Sequence, residues 1–154
     1  MPRGDHRLTA EVFIPRPRPE VFAFFSAAEN LERITPPELR FQITTPLPIR
    51  MSEGSIIDYR LRLFGVSFNW QTLISRWEPD VSFVDEQLTG PYAKWVHTHS
   101  FRDADGGTQV SDVVLYRLPF APVGDVAYPV VRLQLNRVFA FRSRRLLQLL
   151  APRS

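Results

Sequence analysis

Two histidines stand two residues apart in the stretch GPYAKWVHTHSF, residues 90–101, with Trp95 before them and Phe101 after them. Alternate residues of an extended strand share a face, so Trp95, His97, His99 and Phe101 point to one side. Three kinds of chemistry fit such a pair. A His-x-His strand can give two imidazoles to zinc or iron, with Asp112 or Asp85 as the third ligand a catalytic site needs. Sets of that kind arise easily by chance, and His6, near a terminus expected to be mobile, is a poor further ligand; no metal and no cofactor is expected. An imidazole beside a carboxylate can instead act as a base with a fixed tautomer. Tyr116 could then polarise a carbonyl, giving His97, His99, Asp112 and Tyr116 as catalytic candidates. The third reading is a buried network whose members satisfy one another's hydrogen bonds, with or without a bound ligand, and it is preferred. No other nucleophile competes: the chain has no cysteine, no Gly-x-Ser-x-Gly and no glycine-rich phosphate loop.

These residues need elements to position them. The segments 93–101 and 109–118 read as strands joined across the turn DADGG. An odd register there sets Asp112 on the histidine face. In one such register His99 faces Asp112, His97 faces Val114 and Trp95 faces Tyr116. Upstream, 55–64 and 67–77 alternate clearly, with only Gly65 and Val66 between them, the length of a two-residue hairpin loop. Pairing Phe64 with Ser67 sets Leu63 opposite Phe68, Leu61 opposite Trp70, Tyr59 opposite Thr72 and Ile57 opposite Ile74. All eight then share one face, and a one-residue slip would scramble it. Residues 7–14, 41–45 and 82–88 supply further strands.

Helices flank the sheet. Pro19 suits the first position of a helix whose buried side is Val21, Phe22, Phe24 and Phe25. Asn30 is a candidate cap for a second short helix, stopped by Pro36 and Pro37. A long helix runs from Val126 or Tyr128 to Leu150, with Asp125 as candidate cap and Pro129 in its first turn. Val131, Leu135, Val138, Leu146 and Leu149 make an apolar stripe with Arg142 in its middle. Leu133, Ala140 and Leu147 make a narrower second stripe, which predicts contacts on more than one side. Arg142 could pair with Asp112, meet a ligand carboxylate or snorkel to the edge.

The 154 residues suit one domain, 1–154, with 44% hydrophobic and 23% charged residues. No run reaches the roughly 18 apolar residues of a membrane span, and MPRGDHRLTAEVF lacks a signal-peptide core; a cytoplasmic location is expected. The net charge of +3 is almost wholly arginine, Lys94 being the only lysine. Arg132, Arg137, Arg142, Arg144 and Arg145 make a basic run, but charge alone is a weak guide and no nucleic-acid partner is expected.

The run Pro19-Glu20-Val21-Phe22 with Asn30-Leu31 and Thr35-Pro36 resembles the opening of the SRPBCC superfamily, the START-like and Bet v 1-like group with polyketide cyclase/dehydrase-type members. Gly54 with Tyr59, Trp70 with Ile74, Trp77-x-Pro79 and Phe83-x-Asp85-x-Gln87 continue the likeness. So do Gly90-Pro91-Tyr92, Trp95-x-His97-x-His99-x-Phe101, Gly107-Thr108, Asp112-x-x-x-Tyr116 and Phe139-x-x-Arg142. Each motif is weak singly. Their order over nearly the whole chain is similar to a stand-alone bacterial branch. The resemblance implies an α+β helix-grip fold: a curved antiparallel sheet of about seven strands around a long C-terminal helix, with two short helices after the first strand. It also implies a hydrophobic cavity between sheet and helix, but no single chemistry.

The expected function is binding of a small apolar or amphipathic molecule. Tyr59, Leu61, Trp70, Trp95 and Phe139 are the expected walls; His97, His99, Asp112, Tyr116 and Arg142 are the expected polar groups. The alternatives are a cyclase/aromatase or dehydratase-like enzyme using the His/Asp/Tyr set, and a basic interaction module. Phe64 and Phe120 read as an entrance or a homodimer face.

Overall fold

The computed structural model describes residues 5–120 and 123–150. Seven antiparallel strands form one sheet in the order β1-β7-β6-β5-β4-β3-β2. They are β1 Asp5–Ile14, β2 Gln42–Ile43, β3 Ile56–Leu63, β4 Val66–Glu78, β5 Ser82–Thr89, β6 Lys94–Ala104 and β7 Gly107–Arg117. Between β1 and β2 lie the short helices α1 (Arg18–Ser26) and α2 (Asn30–Arg33). The long helix α3 spans Tyr128–Leu150. This is the helix-grip α+β arrangement.

Strands β2 to β7 meander, and β1 returns to pair with β7. The pairing of β4 with β5 slips between Gln71 and Thr72 and again between Ile74 and Arg76. Such irregularities bend a strand and sharpen its twist, which curves the sheet toward α3.

The β6–β7 register is one of those expected: Trp95 opposite Tyr116, His97 opposite Val114 and His99 opposite Asp112. The β3–β4 register differs. Leu63 pairs with Val66, Leu61 with Phe68, Tyr59 with Trp70 and Ile57 with Thr72. The loop is therefore Phe64-Gly65, with φ of 51° and 78°. A two-residue loop of this hand needs positive φ at both central positions. Glycine supplies one at no steric cost, whereas the expected Gly65-Val66 loop would force a β-branched residue into that region. The displacement is even, so the same side chains still face inward.

Four local expectations at the helices change. Asp125 lies within the 3-10 turn Val123–Ala127 ahead of α3 and does not cap it. Pro19 is the second helical residue, not the first. Asn30 is the first residue of α2 rather than its cap, and its side-chain amide donates to the Phe24 carbonyl instead. The second stripe of α3 faces outward: Leu133 is 71% exposed, and Ala140 and Leu147 are exposed as well. His6 is not at a loose end; it lies within β1 and stacks on Tyr128 with ring centroids 3.9 Å apart.

The interior has three apolar clusters; Ala28, Ile43, Met51, Ile57 and Ile74 form the smallest, and the other two are larger. One packs Phe22, Phe25, Phe83, Phe101, Val110 and Leu146 beneath the short helices. The other gathers Leu61, Trp70, Tyr92, Val114, Leu135 and Phe139 under the first half of α3. Between them runs a polar layer contributed by several elements at one level. On β6 it is His97 and His99, between Trp95 and Phe101; on β7 it is Asp112, between Val114 and Val110. On α3 it is Arg142, between Phe139 and Leu146.

Candidate functional site

Sheet geometry alone sets up the polar layer. On β5, Asp85 pairs with His97 and Phe83 with His99, while Asp112 pairs with His99 from β7. Each imidazole bonds along the diagonal, a reach the sheet spacing permits. His97 Nε2 lies 2.8 Å from Asp112 Oδ1, and His99 Nε2 lies 2.6 Å from Asp85 Oδ2. Two longer approaches close the square: His99 Nδ1 to Asp112 Oδ1 at 3.3 Å, and His97 Nδ1 to Asp85 Oδ2 at 3.8 Å. The imidazoles stack 3.7 Å apart, and Phe83 stacks on the outer face of His99 at 4.0 Å. This column holds both rings edge-on to the carboxylates.

Arg142 enters from the helix. Its terminal nitrogen is 3.4 Å from Asp112 Oδ1 and 3.2 Å from His99 Nδ1. Its guanidinium carbon lies 5.2 Å from the centre of the Phe25 ring and 5.6 Å from that of Phe139, within cation–π range of both. Of the three roles open to Arg142 in the sequence, the buried pairing with Asp112 is the one adopted; it does not snorkel. Its Nε is buried and has no hydrogen-bond partner among the described residues.

Electrostatics follow from this packing. Burial would raise the Asp112 carboxyl, but the Arg142 guanidinium and hydrogen bonds from both imidazoles hold it well below the usual range. Asp85 is likewise lowered: the His97 and His99 charges and the bond from His99 outweigh its burial. His97 is pushed down by burial and by the charge on His99. Burial opposes charge on His99 too, yet its bonds to Asp112 and Asp85 raise it. Both carboxyls are thus held toward the ionised form, and of the two imidazoles His99 takes a proton more readily than His97.

Above this layer, between sheet and α3, lies a cavity of about 150 Å³. Its walls are mostly apolar, with Tyr59, Leu61, Trp70, Trp95 and Phe139 among them, and Asp85, His97, His99 and Arg142 at one end. Two of the residues expected in the lining do not border it. Asp112 sits behind the imidazoles, because its carboxylate is turned to their outer nitrogens and to Arg142. Tyr116 is packed against Tyr92, Trp95 and His6, and burial pushes its hydroxyl up to about 12.

Sequence reasoning missed other lining groups. Tyr92 reaches the cavity because Gln87 clamps the Gly90-Pro91-Tyr92 loop. The Gln87 amide donates to the Tyr92 carbonyl at 2.7 Å and accepts the Tyr92 N–H at 3.1 Å. A Cβ at Gly90 would fall 2.5 Å from Gln87 Oε1. Thr72 accepts the Trp70 indole N–H at 3.1 Å and contacts the Tyr59 hydroxyl at 3.2 Å, so three wall residues share one bonded set. Gln134 also lines the cavity, and its Oε1 is buried without a partner. Its helical signal was present: Gln134, Val138 and Arg142 recur at four-residue intervals on one face.

The basic run on α3 is dispersed. Arg142 is in the polar layer, Arg137 pairs with Glu38, and Arg145 bonds to Gln148 and the Arg33 carbonyl. No helix among the described residues is long and apolar enough to cross a membrane.

No protein-family model matches this chain, and no curated protein matches it. Solved structures do. The Zhui aromatase/cyclase from Streptomyces sp. R1128 superposes with a TM-score of 0.75 at 14% identity, over 94% of this chain and 92% of that one. A START superfamily protein from Mycobacterium smegmatis gives 0.68 at 13% identity, over 94% and 99%. A nucleoside-diphosphate sugar epimerase from Corynebacterium glutamicum gives 0.65 at 28% identity; the match covers 92% of this chain but only 28% of that longer one. The chain has the START-like helix-grip fold.

Proposed function

We propose that the protein binds one small amphipathic molecule between the sheet and α3. Its apolar body would lie against Trp70, Tyr92 and Phe139. Its polar end would meet Arg142 and the histidines. The observation that carries this reading is an apolar hollow closed at one end by Asp85, His97, His99 and Arg142. Mostly apolar walls with a few polar groups gathered at one end suit a molecule with an apolar body and one polar end. The test is titration with an environment-sensitive apolar fluorophore, followed by displacement with aromatic carboxylates and phenols. One equivalent should bind, and Leu61→Trp, which fills the hollow, should abolish it. Binding that survives Leu61→Trp would place the fluorophore elsewhere and end this reading.

A second reading has its own observation. His97 gives Nε2 to Asp112, which leaves Nδ1 as the basic nitrogen on a residue that borders the cavity. A carboxylate-oriented imidazole is a competent general base, and Arg142 could stabilise the enolate formed when it takes a proton beside a carbonyl. Arg142 thus takes the carbonyl-polarising role first assigned to Tyr116. An aromatase/cyclase of the same fold gives this chemistry a precedent at the level of fold only. The check is deuterium exchange at the α-carbon of a bound β-diketone. His97→Gln should remove the exchange and keep the binding; exchange at an undiminished rate would exclude His97 as the base.

A further inference from the structure

The polar layer has a second use beyond holding an organic ligand. We propose that Asp85, His97 and His99 form a site for a divalent first-row transition-metal ion, zinc or iron(II), at the end of the cavity.

Four observations lead there. First, one donor atom from each of the three residues lies within 4.8 Å of the others. Two imidazoles and one carboxylate on one side of an ion are a recognised ligand set for these metals. Second, the outer nitrogens of both rings have partners. Asp112 Oδ1 takes Nε2 of His97 at 2.8 Å, and Nδ1 of His99 lies 3.3 Å from Asp112 Oδ1 and 3.2 Å from the Arg142 terminal nitrogen. That leaves Nδ1 of His97 and Nε2 of His99 turned toward Asp85 Oδ2, at 3.8 and 2.6 Å. Outer carboxylates that fix the ring and tautomer in this manner accompany most metal-binding histidines. Third, with Nε2 as the donor to Asp112, His97 Nδ1 carries a lone pair that faces a carboxylate oxygen too far away for a hydrogen bond. Two acceptors facing each other need a cation between them. Ligand atoms 2.0–2.2 Å from one ion stand roughly 3–3.5 Å apart, and the two observed separations bracket that range. Fourth, Asp85, His97 and His99 border the cavity while Asp112 lies behind them. Coordination positions left open by three protein ligands would face the hollow, as in catalytic rather than structural sites.

Arg142 faces Asp112, so the cation against Asp85 is the proton it shares with His99. The proton shared by His99 and Asp85 is the competitor, and a metal ion would displace it.

The experiment uses the full chain stripped with chelator and titrated with zinc(II), then cobalt(II). One equivalent should bind at micromolar Kd or tighter. X-ray absorption on the zinc form should show two imidazoles in the shell, a readout that needs no variant. Asp85→Asn and His97→Gln should weaken binding by more than about 100-fold, and Asp112→Asn by about 10–100-fold. His6→Gln, on β1, should change nothing. The proposal fails if fewer than two imidazoles coordinate the ion, if no equivalent binds at that affinity, or if His97→Gln binds like the unaltered protein. Fluorophore binding in chelator is independent of all three outcomes, so the pocket reading and the metal reading fall separately.

Discussion

The two larger apolar clusters differ in how they are filled. Beneath the short helices, Phe22 and Phe25 meet Phe101 edge-on at 5.1 and 5.2 Å, and Phe25, Val21 and Ile14 are at most 1% exposed. Under the first half of α3, Trp70, Tyr92 and Phe139 are also buried, at 5%, 8% and 6% exposed, yet they border a hollow. Burial therefore does not distinguish a packed core from a binding cavity. What distinguishes them is the space left between the side chains, about 150 Å³ under α3. The polar layer marks the boundary, and its cost in desolvation makes sense only if it has a task on the hollow side.

The largest effect should come from the boundary itself. Asp112→Ala leaves Arg142 buried without its anion and His97 Nε2 without its partner, and should cost about 3–5 kcal/mol in urea unfolding. A loss under about 1 kcal/mol would mean that the layer is hydrated and not a closed network.

Next comes the contrast between the clusters. Phe25→Ala opens a new cavity in a sealed core and should cost about 3–5 kcal/mol. Leu61→Ala enlarges a space that already exists, so a smaller loss, about 2 kcal/mol, is expected. Equal losses from the two variants would erase the distinction between sealed and hollow.

Acid should act through the boundary. In chelator, Asp112 and Asp85 have lowered values when folded and regain ordinary ones near 3.8 when unfolded. Their stabilisation is complete above that value and is lost as pH falls through the folded ones. His99 is raised, so its share is complete below 6.5 and fades as pH climbs through its folded value. His97 is lowered and works the opposite way, present above 6.5 and lost on acidification. The two histidines oppose each other, so denaturant midpoints should vary little near neutrality and fall steeply below about pH 4. Asp112→Asn should flatten that acid limb; an unchanged limb would move its origin to carboxylates elsewhere.

The smallest effect should come from filling the hollow. Val138→Phe, on the cavity side of α3, should shift stability by no more than about 1 kcal/mol while removing fluorophore binding. Destabilisation well beyond that would mean that the space is too small for the added ring.

Much of this architecture was legible in the chain. Alternation put Trp95, His97, His99 and Phe101 on one face, and the observed β6–β7 register is one of the odd registers that bring Asp112 to that face. The β3–β4 faces were legible too, although the turn was displaced, because an even shift preserves which side is buried. The polar layer's level on α3 could be read from Arg142 interrupting an apolar stripe. Other features left weaker traces: Gln87 clamping Tyr92, and Thr72 serving both Trp70 and Tyr59, are ordinary polar residues in ordinary strands.

Period and pattern, then, determined which side chains turn inward, since a strand's twofold repeat and a helix's 3.6-residue repeat are local properties of the backbone. Tertiary structure alone decided which nitrogen of each histidine meets which carboxylate, and that Asp112 stands behind the rings while Asp85 stands before them. It also decided that Tyr116 leaves the lining. These outcomes depend on distances of a few tenths of an ångström between strands and a helix far apart in the chain, and no spacing along one segment encodes them.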